Sequence, residues 1–104
     1  MALPSKVRIV EVGPRDGLQN ESTPVSTDTK LELIRRLAGC GLSTIEATAF
    51  VSPKWVPQMA DAAAVMAGLP TGDAARAGVA FPVLVPNLKG LEAALTAGAR
   101  EIAI

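Results

Sequence analysis

The chain has 104 residues, 49% of them apolar, with ten basic and ten acidic side chains, a single Cys and no His or Tyr. That length suits one ordinary domain; the balanced charge argues against a dedicated nucleic-acid binder, and the apolar content argues against disorder. One Cys excludes an internal disulfide; one Cys with no His all but excludes a self-contained zinc site, and without His no Ser–His–Asp triad can form, so any metal needs oxygen ligands or ligands from elsewhere.

The β-branched run Val7 to Val12 ends at Gly13-Pro14 and predicts a buried strand. Gly13 to Pro24 is polar, turn-rich and without periodicity; so long a loop in a compact domain is often functional. A helix is expected from Thr27 to Cys40, capped by Ser26 or Thr27, with Asp28 in its first turn and Arg35 and Arg36 near its end. Its apolar stripe is Leu31, Ile34, Leu37 and Ala38, with Gly39 and Gly41 as the stop.

Thr44 to Phe50 predicts a second strand, followed by a loop over 50–56 bracketed by Pro53 and Pro57, and a helix over 58–67 ended by Gly68, Pro70 and Gly72. Val79 to Val85 reads as a third strand, with Pro82 as its weak point. Asn87 caps a third helix over 88–97, Gly98 closes it, and a fourth strand begins at 101–104. The order βαβαβαβ implies right-handed crossovers and a parallel sheet.

Parallel sheets are either doubly wound or closed into barrels. The loop GPRDGLQNE has the wrong glycine spacing for a dinucleotide fingerprint, and no phosphate-binding GxxxxGK[ST] is present. Charges directly after the first strand suit a (β/α)8 barrel, whose chemistry sits at the carboxyl ends of its strands. A whole barrel needs roughly 200 residues or more, so residues 1–104 are expected to form a partial barrel of about three and a half βα units. Such a piece leaves two unpaired sheet edges.

The chemistry-bearing residues lie at the strand ends. Glu11 and Glu46 each put a carboxylate on an apolar strand, which is costly without a partner such as Arg15. A solvent-facing edge position is the alternative for Glu11, against the otherwise apolar strand. Asp16 is a hard oxygen ligand suited to Mg²⁺ or Mn²⁺, and Arg15 can hold a carboxylate or a developing enolate. An ordinary Pro-Arg-Asp-Gly turn accounts for the same spacing. Gln19 and Asn20 add neutral polar groups to this loop. Cys40 is expected as filler on the helix. Trp55 is placed to wall a pocket, and Lys54 to be solvated or to meet a phosphate.

Three segments carry a resemblance: VEVGPRDGLQNE from Val10 to Glu21, IEATAFVSPKWVPQMAD from Ile45 to Asp61, and PVLVPNLKGLEAALTAGAREIAI from Pro82 to Ile104. Together they resemble the amino-terminal part of the hydroxymethylglutaryl-CoA lyase family of DRE-type metallolyases. The resemblance implies a (β/α)8 enzyme that cleaves 3-hydroxy-3-methylglutaryl-CoA to acetyl-CoA and acetoacetate, in leucine degradation or ketone-body formation. It implies Asp16 as a metal ligand, Arg15 as the catalytic residue stabilising the enolate, Glu46 and Glu11 as further catalytic acidic residues, and Gln19 beside Arg15 in substrate binding. The cofactor implied is a divalent metal, Mg²⁺ or Mn²⁺, whose other ligands, two His and one Asn, are absent from this chain. The partner implied is an acyl-CoA, with no nucleic acid and no membrane; a homo-oligomer is compatible with it. With no signal, transit or membrane-spanning pattern in the sequence, a cytoplasmic location is expected. Alternatives are a related metallolyase or aldolase acting on another acyl-CoA or 2-oxo acid, and a non-catalytic half barrel. The isolated chain is expected to be inactive.

Overall fold

The computed structural model describes residues 3–70 and 78–104. Among them, short parallel ladders alternate with helices: β1 (Val10–Glu11), α1 (Thr27–Ala38), β2 (Thr44–Ile45), β3 (Thr48–Ala49), α2 (Ala62–Ala67), β4 (Val83–Leu84), α3 (Leu88–Thr96) and β5 (Ile102–Ala103). β1 pairs with β2, and β3 with β4 and then β5, all in parallel. The expected stop at Gly72 lies outside the described residues.

β2 and β3 belong to one extended run, expected as a single strand over 44–50. The run is interrupted because the register slips. Thr44 bridges Ala80, yet Thr48 pairs with Val83, so one extra residue sits on this strand. The hydrogen bonds show the same slip: Ala47 N donates to Pro82 O at 3.0 Å and the next donor is Phe50 N, to Leu84 O at 2.9 Å. This is a β-bulge, which re-aims the side chains around it. Before the bulge, Ala47 packs against Ile34 and Val65 from the helices. After it, Thr48 Oγ1 reaches Met59 Sδ at 3.7 Å. Consecutive residues thus face the helical layer, and Thr44 and Glu46 point from the opposite face.

The helices form where their caps dictate. Ser26 Oγ accepts from Thr29 N at 3.1 Å and starts α1. Its buried stripe is Lys30, Ile34 and Ala38, with Leu31 and Leu37 half-buried beside it. Asn87 Oδ1 accepts from Gly90 N at 2.8 Å and starts α3. Gly90 rests on the end of β3: a Cβ there would come within 2.5 Å of Phe50 O. A second cluster, Phe50, Ala62, Val83, Val85 and Ala94, fills the space between α2, α3 and the sheet. On the sheet's other face, Arg8, Val10, Thr44, Glu46, Pro82 and Ile102 line an open concavity.

Several expected boundaries change. The first strand is neither six residues long nor buried: only Val10–Glu11 joins a ladder, and Val7 and Ile9 are 72% and 64% exposed. Among the described residues it is hydrogen-bonded along one side only, to β2. The helix expected over 58–67 divides into a 3-10 turn, Pro57–Met59, and α2. Pro57 opens that turn, and the side chain of Lys30 captures the carbonyl of Gln58. Cys40 is not on α1; it is exposed in the turn after it, where Gly41 has φ 94°. Pro82 falls outside β4, but its carbonyl still accepts from Ala47.

Candidate active site

The polar loop after β1 is not irregular. Residues Gly13–Gly17 form a π-helical turn that continues into a helical Leu18 and Gln19. Val12 O gathers three backbone donors, Arg15 N at 3.1 Å, Asp16 N at 2.7 Å and Gly17 N at 3.3 Å. Pro14 is buried near the start of the turn, where a missing N–H costs nothing. Such π turns are uncommon and frequent at functional sites. This one sets Arg15 and Asp16 at the carboxyl end of β1.

Arg15 Nε donates to Glu46 Oε1 at 2.7 Å, and its Nη1 lies 3.4 Å from Asp16 Oδ1. The Glu46 side chain is 7% exposed, Arg15 17% and Asp16 53%. A buried carboxylate on the bulged strand therefore holds a guanidinium whose far end faces out beside an exposed carboxylate. A charge-assisted bond of this length is among the stronger polar contacts. Asn20 Nδ2 donates to Asp16 O at 2.9 Å and steadies the turn from its carboxyl side.

The other expected site residues are distributed differently. Register sets Glu11 beside Ile45, so its side chain leaves the sheet on the face opposite Glu46. Its Oε1 folds over Gly13, where a Cβ would sit 2.9 Å away. The expectation that Arg15 neutralises both carboxylates holds for Glu46 alone; among the described residues no hydrogen bond or ion pair reaches the Glu11 carboxylate. Gln19 Oε1 is buried without a partner. Trp55 is 81% exposed and Lys54 is exposed, on a turn closed by Trp55 N and Val56 N donating to Ser52 O at 3.0 and 2.9 Å.

Among the described residues, no group of three His, Cys, Asp or Glu comes together around a metal-sized space. Asp16 alone fits as one ligand: a hard oxygen donor, exposed, with one long contact to Arg15. The other donors of a Mg²⁺ or Mn²⁺ shell would come from outside these residues.

A second polar cluster lies under the same loop and was not foreseen from the sequence. Lys30, 3% exposed, donates from Nζ to Gln58 O and to Asp61 Oδ1, the latter at 2.6 Å. Thr27 Oγ1 donates to Asp61 Oδ2 at 2.6 Å, and Gln58 Nε2 to Glu21 O at 2.8 Å. Burial pushes the Asp61 carboxyl up, but the hydrogen bonds from Lys30 and Thr27, with the charge of Lys30, outweigh it and hold the carboxyl below its ordinary value. The available signal was position: Lys30 lies one turn before Ile34 on the apolar stripe, where a Lys needs a buried partner.

The HMGL-like family model matches residues 6–104. A mitochondrial hydroxymethylglutaryl-CoA lyase of Macaca fascicularis is 61% identical over 98% of the chain. The crystal structure of hydroxymethylglutaryl-CoA lyase from Pseudomonas aeruginosa superposes with a TM-score of 0.87 at 55% identity, over 98% of this chain and 33% of that one. An HMG-CoA lyase from A. baumannii, solved in complex with coenzyme A and 3-methylmalate, gives 0.84 at 43% identity, over 98% and 32%. The chain covers only 30% of the macaque enzyme, so it spans about a third of the length of the relatives it matches. Curated relatives include mitochondrial and cytoplasmic enzymes. No helix among the described residues is long and apolar enough to cross a membrane.

Proposed function

The chain belongs to the HMGL-like family, and from that premise we propose that it is the amino-terminal part of a hydroxymethylglutaryl-CoA lyase. Its architecture is that of part of a (β/α)8 barrel, and the reaction is cleavage of 3-hydroxy-3-methylglutaryl-CoA to acetyl-CoA and acetoacetate. The observation that carries the reading is the Arg15–Glu46 pair at 2.7 Å beside the exposed Asp16, at the carboxyl ends of two adjacent parallel strands.

In this carbon–carbon cleavage a general base takes the proton of the substrate hydroxyl, the oxygen's electron pair forms the C=O of acetoacetate as the C–C bond breaks, and the C–C electron pair leaves on the acetyl thioester as an enolate, which takes up a proton to become acetyl-CoA. Negative charge builds on the thioester oxygen. Arg15 presents its outward N–H donors to that oxygen, and Glu46 fixes the guanidinium in advance, so little reorganisation accompanies the reaction. Asp16 would supply one oxygen ligand to a divalent cation, Mg²⁺ or Mn²⁺, which when bound would act as a Lewis acid toward the substrate. Gln19, with its unpartnered Oε1, is assigned to substrate binding, and Glu11 is assigned to the site through the turn it covers at Gly13. Coenzyme A bound to the A. baumannii relative supports an acyl-CoA substrate. A cytoplasmic relative is compatible with the cytoplasmic location expected from the sequence, although most of the named relatives are mitochondrial.

The test is a graft in which this chain replaces the matching third of the P. aeruginosa lyase. Acetoacetate release by the graft at a rate near that of the parent enzyme is expected. A folded graft without turnover overturns the reading. The 104-residue chain alone, with one metal carboxylate, is expected to release none.

A further inference from the structure

Lys30 is a fully buried cation that the proposed chemistry does not use, and its donors are not spent on its own helix. One goes to Asp61, at the start of α2, and one to the carbonyl of Gln58, in the 3-10 turn before it. The side chain of Gln58 then crosses to the other loop and donates to Glu21 O at 2.8 Å. Glu21 N in turn donates to Leu18 O at 3.2 Å, and Asn20 donates to Asp16 O. The chain of contacts runs from a buried charge, through the loop after β3, to the turn that carries Arg15 and Asp16.

The geometry has a direction. Arg15 comes from the loop after β1 and Glu46 from the next strand, so their 2.7 Å contact survives only if that loop keeps its position over the strand. Residues 20–24 are exposed, and Gln58 Nε2 is the one side-chain donor that bridges from the second loop to them among the described residues. Gln58 cannot drift, because Lys30 holds its carbonyl and Asp61 accepts from both Lys30 and Thr27 of the same helix. We infer that Lys30 and Gln58 are positioning residues that keep the Arg15–Asp16 turn aligned with Glu46 by clamping the loop at Glu21. This rests on the lyase reading for its catalytic consequence, but not for its structural one.

Two measurements separate those consequences. In the 104-residue chain, Gln58→Ala is expected to speed amide hydrogen exchange about tenfold in residues 15–21 while leaving α3 unchanged. In the graft with the P. aeruginosa lyase, the same variant is expected to lower kcat about tenfold with KM unchanged, the signature of misplaced catalytic groups. Lys30→Met combined with Gln58→Ala is expected to lower kcat no further than the worse single variant, because both act through one path. Exchange that is unchanged at 15–21, or that rises equally in α3, overturns the inference. So does unchanged kcat in a graft that turns over. An inactive parent graft overturns the lyase reading, and the exchange result then decides this inference by itself.

Discussion

Among the described residues two ion pairs join neighbouring βα units, and their burial is inverted. In Arg15–Glu46 the anion is the buried member, at 7%, while the cation is 17% exposed and stands next to an open carboxylate. In Lys30–Asp61 the cation is buried, at 3%, and the anion is 24% exposed. The inversion decides what each can do. A guanidinium anchored through Nε keeps donors free on its far side, so it can meet charge arriving from outside. A buried ammonium spends its donors inward, on Asp61 and Gln58 O, and can only hold the protein to itself.

Breaking the first pair gives the largest effect. Arg15→Gln in the graft is expected to lower kcat about a thousandfold, in the range seen when a preorganised donor to a developing oxyanion is lost. Folding should suffer far less, by about 1–2 kcal/mol, because glutamine keeps an amide donor for Glu46. Kinetics and thermal melting on one preparation check both halves. Near-normal turnover removes Arg15 from its role.

Breaking the second pair should reverse that pattern. Lys30→Met leaves Asp61 without its cation and frees Gln58 O, and the cost expected for breaking a buried pair from one side is about 3–5 kcal/mol. Urea unfolding of the chain checks it; a loss below 1 kcal/mol, on the scale of an exposed pair, would show that the burial seen here carries little energy.

The two pairs also differ in how visible they were in the sequence. Arg15, Asp16 and Glu46 lie in dense local motifs after strands, where polar residues interrupt β-branched runs, so the strand ends and the charges were found together. The parallel βα order was legible for the same reason, because glycine and proline mark nearly every boundary. Lys30 shares a helix face with Ile34, which marks it as inward-facing, but its partner Asp61 is 31 residues away and nothing local names it. The bulge between Thr44 and Thr48 was hidden too, since it is a difference of register between two strands. Glu11 and Glu46 read alike in the sequence, each a carboxylate on an apolar strand, and only the pairing of Glu11 to Ile45 separates their faces. The exposed Val7 and Ile9 show the same limit, because β-branched composition reports affinity for a sheet and not whether a neighbour is present.

Acid sharpens the contrast by acting on the Lys30 pair through its exposed member. The folded protein holds the Asp61 carboxyl below its ordinary value of 3.8, so the folded state takes up that proton less readily than the unfolded chain. The contribution to stability is therefore complete above the ordinary carboxylate range and is lost as pH falls through the lowered value. Unfolding free energy measured from neutral pH downward should decline below about pH 4, and Asp61→Asn should flatten part of that decline.

The smallest effect belongs to the ion pairs in which neither partner is buried. Glu32 accepts from Arg36 Nε at 2.9 Å and Arg35 Nη2 at 3.0 Å on the outer face of α1, and these contacts hold its carboxyl below the ordinary value. Water and salt reach all three groups, so the attraction is screened and side-chain ordering offsets what remains. Glu32→Gln should leave the unfolding midpoint of the chain nearly unchanged, and any difference at low salt should vanish as salt is raised. Lys30→Met should keep its full effect across the same series, because no ion can approach a cation that is 3% exposed. If both variants respond to salt alike, burial is not what separates the pairs, and the inward role given to Lys30 fails with it.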